Sequence, residues 1–101
     1  MLKDLQSLEL EWDAGNWPKC AKHGLSQDDI QFVFRNDPGV FPARTATSEW
    51  RYAAIGRVRS GSYDFIVFTV RGSTLDKLIR PISARYMHAE EVEYYESLKD
   101  A

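Results

Sequence analysis

The residue types best suited to chemistry in this sequence are two histidines and a group of arginines. His23 and His88 are candidates for proton transfer, because histidine titrates nearest neutral pH. Arginine presents a planar fork of donors that suits phosphate. The basic residues between positions 51 and 85 are Arg51, Arg57, Arg59, Arg71, Lys77, Arg80 and Arg85. The stretch from Leu78 to His88 combines two of these arginines with a histidine, which makes it the first candidate for a phosphate-binding or catalytic site.

The charge of the chain changes sign twice along its length. Residues 1–50 hold 5 basic and 8 acidic side chains, residues 51–85 hold 7 and 2, and residues 86–101 hold 1 and 5. These sums of −3, +5 and −4 place a basic centre between two acidic ends. On position alone, a solvated sheet face balanced by the two ends is favoured over phosphate binding.

Each candidate residue also has a plain structural explanation. His23 precedes Gly24 at a predicted helix end, where a cation interacts well with the helix dipole, and Lys22 could be a free helix-end cation. His88 precedes the last predicted helix, and Glu91 three residues later has the spacing of a capping box. At both histidines, a role at a helix end and a role in catalysis therefore remain alternatives.

Arg80 and Arg85 are five residues apart in the last predicted strand. On a regular strand they would face opposite ways, so only a bulge at Pro81 would let both reach one ligand. Failing that, one of them is expected to pair with a glutamate of the final helix. Arg57 and Arg59 share a strand face that leads into a turn, which predicts a solvated hairpin.

The composition excludes several classes of protein and of site. No apolar run approaches the roughly 20 residues that cross a bilayer, and a lone Cys20 cannot form an internal disulfide, so the cytoplasm is the expected location. Cys20 and His23 could supply two zinc ligands, but no second pair is visible. Cys20 has no evident partner as a nucleophile. Trp12 and Trp17 are expected in the core rather than stacked on bases.

Hydrophobic patterning predicts strands and helices in a mixed order. A strand is predicted from Leu8 to Trp12. Helices are predicted after the N-cap residues Asn16 and Ser26, with Gly24 ending the first of them. Later strands are predicted to begin at Val40 and to span Trp50–Arg59, Tyr63–Arg71 and Leu75–Arg85, with turns at Ser60-Gly61-Ser62 and Gly72-Ser73-Thr74. An acidic helix with the stripe Ala89, Val92, Tyr95 and Leu98 follows.

These elements predict an α+β fold. We expect a small antiparallel sheet of three to four strands, with N-terminal helices and one C-terminal helix packed on one face. A chain of 101 residues is expected to be one domain, residues 1–101, with residues 1–7 as a candidate loose N-terminus.

A set of short motifs resembles a known family. The motifs are Glu11-Trp12-Asp13, Lys22-His23-Gly24, Phe34 with Asp37-Pro38, Ile55-Gly56, Phe68-Thr69, the run from Ile79 to His88, and finally Glu91 and Tyr95. In this order and spacing they resemble the BrnT family, ribonuclease toxins of type II toxin–antitoxin systems with a RelE/ParE-like fold. The resemblance runs from about residue 9 to residue 96.

The resemblance implies a toxin that cleaves RNA and halts translation without a metal or other cofactor. It also implies a cognate antitoxin similar to BrnA, through which the pair would contact operator DNA. Metal-free cleavage requires a base for the 2′-OH proton, cations for the phosphate and an acid for the leaving 5′-oxygen. The expected products are a 2′,3′-cyclic phosphate and a 5′-hydroxyl.

The implied site combines the histidines with the basic centre of the chain. The candidate catalytic residues are His23, Arg80, Arg85 and His88. The candidate RNA-phosphate contacts are Lys22, Arg57 and Arg71. This hypothesis predicts a basic groove on the sheet and a histidine within reach of two arginines.

A second hypothesis is a diverged, non-catalytic module of the same fold that only binds a partner protein. The sequence pI near 5.6 and the glutamate-rich last helix favour it. Direct DNA binding is disfavoured, because the ends are acidic and no DNA-reading motif is recognisable.

Overall fold

The computed structural model describes residues 5–43, 50–72 and 76–99. A 3₁₀ turn over Leu5–Ser7 comes first, and Leu5 is buried in the core. Residues 1–4 of the predicted loose N-terminus lie outside the described residues. So do residues 73–75, on which part of a predicted turn and the predicted start of the last strand fall. The elements are β1 (Glu9–Leu10), α1 (Trp17–Ala21), α2 (Gln27–Arg35), β2 (Gly39–Ala43), β3 (Arg51–Arg57), β4 (Tyr63–Arg71), β5 (Leu78–Tyr86) and α3 (Ala89–Lys99).

The described strands form one five-stranded sheet in the order β1-β5-β4-β3-β2. Strands β2 to β5 pair antiparallel, whereas β1 pairs parallel with β5, Glu9 opposite Leu78 and Leu10 opposite Ile79. The α+β class is confirmed. The predicted antiparallel sheet of three to four strands is wrong in strand number and at this parallel edge. Local patterning could not show the β1–β5 pairing, because β1 has two residues and its partner strand lies at the far end of the chain.

The helices cover both faces of the sheet, which corrects the prediction that they pack on one face. On the inner face, Phe34 of α2 contacts Phe68 of β4 edge-to-face, with ring centroids 4.9 Å apart. On the opposite, outer face, Tyr95 of α3 lies 6.2 Å from Phe41 and 5.5 Å from Tyr63 between ring centroids. The described part of the chain therefore has a closed inner core and a more open outer face under α3. No described helix is long and apolar enough to span a membrane.

Helix α2 shows why the inner core forms where it does. The Asp29 N–H donates to Ser26 Oγ at 3.0 Å, and the Ser26 N–H donates to Asp29 Oδ2 at 2.9 Å, which makes a reciprocal capping box. This start sets the phase of the helix. The predicted stripe of Ile30, Val33 and Phe34 is then fully buried against the sheet.

The β3–β4 hairpin confirms two sequence predictions. The Val58 N–H donates to the Ser62 carbonyl at 2.9 Å, and Gly61 adopts a φ of 97°. A left-handed backbone of this kind favours glycine at the turn. Strand β4 spans the predicted residues and lies at the centre of the sheet, between β3 and β5.

Pro81 lies at an irregularity of β5, as its missing N–H predicts. Phe68 pairs with Pro81 and Val67 pairs with Ser83, so Ile82 is an extra residue in β5. The extra residue resets the side-chain alternation of the strand. Residues on the two sides of this bulge that are an odd number of positions apart therefore share a face.

Asn16 ties the segment before α1 to this bulge. It is 2% exposed, and its Nδ2 donates to the carbonyls of Glu11 at 2.9 Å and Pro81 at 2.8 Å. Its Oδ1 accepts from the Asp13 N–H at 2.8 Å. Asn16 is the N-cap residue of α1, as predicted, and its carbonyl accepts from the Cys20 N–H at 3.2 Å. Its side chain makes no cap bond, because these three partners use its amide.

Replacing Asn16 with alanine should lower the free energy of unfolding by about 2–4 kcal/mol, because two buried carbonyls lose their donor. The measurement is urea denaturation of the full chain followed by circular dichroism. Asn36→Ala is the matched control, since exposed Asn36 makes a single side-chain bond, from Nδ2 to the Phe32 carbonyl at 2.7 Å. Equal losses in the two variants would contradict the structural role of Asn16.

Candidate active site

Arg85 forms the centre of the first charged cluster, at the junction of β5 and α3. Its Nη1 and Nη2 donate to Oε1 and Oε2 of Glu91, each at 2.8 Å, and its guanidinium carbon lies 4.8 Å from the centroid of the Phe65 ring. The His88 N–H donates to the same Glu91 Oε1 at 2.8 Å. The expected pairing of one arginine with a glutamate of the final helix is thus confirmed.

Glu91 is therefore shared between the guanidinium of Arg85 and the backbone of His88. Arg85, and secondarily the His88 N–H, lower the pKa of Glu91 to about 2. The carboxylate is thus charged at neutral pH and caps the first turn of α3. His88 is exposed, two residues past the end of β5. This is the one place in the described chain where a histidine and an arginine bind the same group. We name Arg85, His88 and Glu91 the Arg85 cluster.

Arg57 forms a second cluster beneath the other side of α3. The Tyr63 hydroxyl donates to Glu96 Oε2, and the Arg57 guanidinium carbon lies 4.6 Å from the Tyr63 ring centroid. Arg57 Nη2 and Glu96 Oε2 are 4.0 Å apart. Tyr63 and Arg57 also line a small cleft of about 290 Å³, together with Gly61, Ser62, Tyr86, Met87 and Val92.

Arg80 forms a third cluster with the segment before α1. Its Nη1 donates to Glu11 Oε1 at 3.0 Å and to Asp13 Oδ2 at 2.9 Å, and its Nη2 donates to Asp13 Oδ1 at 3.0 Å. Its side chain is 14% exposed, against 34% for Arg85. The hydrogen bonds to Asp13 are the main cause of a raised pKa at Arg80, and Arg80 in turn lowers the pKa of Asp13. Two carboxylates thus occupy this guanidinium.

The bulge at Pro81 brings Arg80 and Arg85 to the same face of the sheet. Arg80 pairs with Thr69 and Arg85 with Phe65, and these two residues of β4 are four positions apart. The two arginines therefore face the same way, which is what the sequence analysis required if both were to reach one ligand. Each arginine nevertheless binds its own carboxylates.

The remaining predicted residues lie apart from these clusters. Lys22 and His23 are exposed in the turn that follows α1. Arg71 is exposed at the end of β4, opposite Leu78 of β5. The structure records no hydrogen bond or ion pair between His23 and an arginine in the part of the chain that it describes. The assignment of these residues to one site stays a prediction.

Sequence reasoning missed four partners in these clusters. Tyr63 and Glu96 bind each other across the sheet and α3, and Glu11 and Asp13 bind Arg80, at separations along the chain that no local motif covers. A weak signal existed, because the acidic ends and the basic centre require each other for neutrality. That pattern predicts pairing in general but not the individual partners.

The two tryptophans pack against the core as predicted, and Cys20 is buried in it as well. Burial raises the pKa of the Cys20 thiol to about 11, and its exposed fraction is 0%. Trp12 and Trp17 pack edge-to-face with centroids 5.1 Å apart, against the inner core. Among the described residues, no group of His, Cys, Asp and Glu is arranged to hold a metal ion.

Cys20 should accordingly resist alkylation in the folded chain. We expect its reaction with iodoacetamide at pH 7.5 to be at least about tenfold slower than in the urea-unfolded chain, because the thiolate is scarce and inaccessible. Mass spectrometry over time measures both rates. Equal rates in the two states would place the thiol at the surface.

The chain matches a family of known proteins, and the match includes these clusters in part. A family model described as "Ribonuclease toxin, BrnT, of type II toxin-antitoxin system" matches residues 12–91. The chain belongs to the BrnT family. The match contains Arg57, Arg80 and the Arg85 cluster, whereas Glu11 and Glu96 lie outside it. No curated protein was found to match the chain.

Membership of the BrnT family gives the chain a coarse function. It is a ribonuclease toxin of a type II toxin–antitoxin system by family, which implies an RNA substrate and an antitoxin protein as partner. The family description names no catalytic residue.

Proposed function

We propose that this chain cleaves RNA without a metal ion at the Arg85 cluster and thereby inhibits translation. We further propose that a BrnA-like antitoxin neutralises it and carries the pair to operator DNA, that no cofactor or membrane takes part, and that the toxin acts in the cytoplasm. The observation that carries the proposal is the sharing of Glu91 by Arg85 and His88. The backbone N–H of His88 and the guanidinium of Arg85 bind the same carboxylate, which supports a site that draws on both residues in a chain of a ribonuclease family.

The proposed reaction is an internal transfer at phosphorus. The ribose 2′-oxygen forms a new bond to phosphorus as a base removes its proton, the P–O5′ bond breaks, and an acid protonates the leaving 5′-oxygen. His88 is proposed for one of these proton transfers. Arg85 is proposed to stabilise the charge that builds on the phosphate oxygens, and Arg57 to bind an adjacent phosphate.

The ion pair between Arg85 and Glu91 must break when Arg85 binds a phosphate. This exchange is feasible, because the two side chains are 34% and 37% exposed, so a phosphate can reach the guanidinium from solvent. A phosphate offers the same planar pair of oxygens to the guanidinium. Arg80 differs, since it is less exposed and bonded to two carboxylates. We propose that Arg80 positions the segment from Glu11 to Asp13 rather than binding the reacting phosphate.

Three exposed residues remain candidates for flanking contacts. We propose that Lys22, His23 and Arg71 contact RNA away from the scissile phosphate, since each is exposed and cationic or able to become so. His23 is also retained as the second candidate for proton transfer. Removal of Lys22 or Arg71 would then affect RNA affinity more than the chemical step.

A specific observation favours the alternative of a non-catalytic binding module. All three clustered arginines have carboxylate partners: Glu91 for Arg85, Glu96 for Arg57, and Glu11 with Asp13 for Arg80. A chain that had lost RNA binding could keep these pairs for stability alone. The two functions differ in whether the isolated chain acts on RNA.

The test is incubation of the purified chain with a defined messenger RNA, with and without excess EDTA, in the absence of ribosomes. The proposal predicts cleavage at the same positions and at similar rates in both conditions. Cleavage that EDTA abolishes would overturn metal independence. Intact RNA in both conditions, with a chain that is folded by circular dichroism and binds its antitoxin, would favour the binding module.

A further inference from the structure

An apolar cleft of about 740 Å³ lies between α3 and the outer face of the sheet. Residues of the sheet form its floor and residues of α3 form one wall. Its apolar lining includes Phe41, Ile55, Phe65, Val67, Tyr94 and Leu98. The volume is within the usual range of ligand-binding clefts and large enough for several apolar side chains.

Helix α3 does not close this cleft. No residue of α3 is fully buried, and Tyr94 and Leu98 are 68% and 49% exposed. Phe41, on the opposite side of the cleft, is 40% exposed. Three of the large exposed hydrophobic side chains of the described chain thus line one cleft. Clustered exposure of this kind marks an interaction surface, whereas single exposed hydrophobics do not.

The charge of the cleft selects among its potential occupants. The charged side chains that line it, within the described residues, are the carboxylates of Glu90 and Glu91. A nucleic acid would bring its phosphates against these carboxylates, and a second copy would bring the same acidic helix. A protein segment that carries apolar anchors and flanking lysine or arginine residues complements both the floor and the rim.

We propose that this cleft binds the antitoxin, through an apolar segment flanked by basic residues. The inference rests on the proposed function for the identity of the partner and for the position of the catalytic residues. Glu91 belongs both to the cleft and to the Arg85 cluster, so a segment seated here contacts the carboxylate that Arg85 binds. Binding would thereby cover the proposed catalytic residues, and neutralisation follows from occupancy of one surface.

The test measures binding of the purified cognate antitoxin to the full-length toxin and its variants by titration calorimetry. Tyr94→Glu and Leu98→Glu place a charge on the wall of the cleft at exposed positions, and circular dichroism checks that each variant is folded. We expect each to raise the Kd at least about tenfold. Trp50→Glu is the matched control, since Trp50 is 75% exposed and does not line the cleft, and its Kd should stay within about twofold. Glu90→Lys should also raise the Kd, by a factor that shrinks at high salt.

Wild-type RNA cleavage is assayed beside the binding. If the wild type cleaves RNA and the antitoxin binds wild type and cleft variants equally, the inference is overturned and the proposed function stands. If Tyr94→Glu weakens RNA binding but not antitoxin binding, the cleft is an RNA surface and the inference is likewise overturned. A wild type that neither cleaves RNA nor binds the antitoxin contradicts both.

Discussion

Replacing Arg85 with alanine should slow RNA cleavage by about a hundredfold to a thousandfold, the typical cost of removing one preorganised donor to a reacting oxyanion. The physical reason is that Arg85 is the arginine proposed to stabilise the charge that builds on the reacting phosphate oxygens, and its carboxylate partner Glu91 also binds the His88 backbone N–H. The loss should appear mainly in kcat, because Arg85 is proposed to act on charge that develops in the transition state. Single-turnover cleavage of a short labelled RNA, with the toxin in excess, measures it.

Arg59→Ala is the matched control for this variant. Arg59 is an exposed arginine whose guanidinium lies 5.1 Å from the centroid of Phe32, a residue of α2 on the inner side of the sheet. Its loss removes the same charge and a similar ring contact away from the proposed site. We expect less than about a threefold change in rate, from weaker general attraction to RNA. Equal effects of the two substitutions would show that net charge, rather than position, supports cleavage.

Asp64 should make the folded chain less stable as the pH rises from 5 to 8. Its carboxyl is fully buried on the inner face of β4, and neither oxygen has a hydrogen-bond partner within the described residues. Burial, with a contribution from Asp29, raises the pKa of Asp64 to about 7, against about 3.9 in an unfolded chain. The folded state therefore binds the extra proton between these values, and stability falls by about 1.4 kcal/mol per pH unit across that window until the folded carboxyl has ionised.

Comparison of wild type with Asp64→Asn separates the pH dependence of stability that Asp64 causes from that of carboxylates whose pKa values are lowered on folding. Glu91 and Asp13 have lowered pKa values and act oppositely, at lower pH, in both proteins. The free energy of unfolding of Asp64→Asn, relative to wild type, should be about 3 kcal/mol more favourable at pH 8 than at pH 5. Urea denaturation at the two pH values measures it, with exposed Asp28→Asn as the control. A relative stability that does not change with pH would mean that Asp64 ionises normally.

The sequence predicted the elements that local chemistry determines. Strand β4 follows from a continuous apolar run, α2 from Ser26 and its capping carboxylate, and the bulge from the missing N–H of Pro81. Strand β1 could not be recognised as a parallel edge, because its partner residues are far along the chain. The stripe of α3 was misjudged for a geometric reason: positions three apart turn by about 300°, so four of them drift around the helix and leave Leu98 half exposed.

The site was predictable in its residue types and not in its pairing. Arg85 and Glu91 are close along the chain, and their contact could be expected from sequence. The binding of Arg80 to Asp13 depends on how the segment before α1 is held, which in turn depends on the buried amide of Asn16. Asp64 carries no signal of its own, since its burial results from the register of β4 between its neighbours.

The most direct measurement is the chemistry of the product ends after the purified chain has cleaved a defined RNA in excess EDTA, read by mass spectrometry. We expect a 2′,3′-cyclic phosphate on one fragment and a 5′-hydroxyl on the other, because the 2′-oxygen is the attacking group and the 5′-oxygen leaves with a proton. A 3′-hydroxyl paired with a 5′-phosphate would contradict it, since those ends require water to attack the phosphorus and the 3′-oxygen to leave.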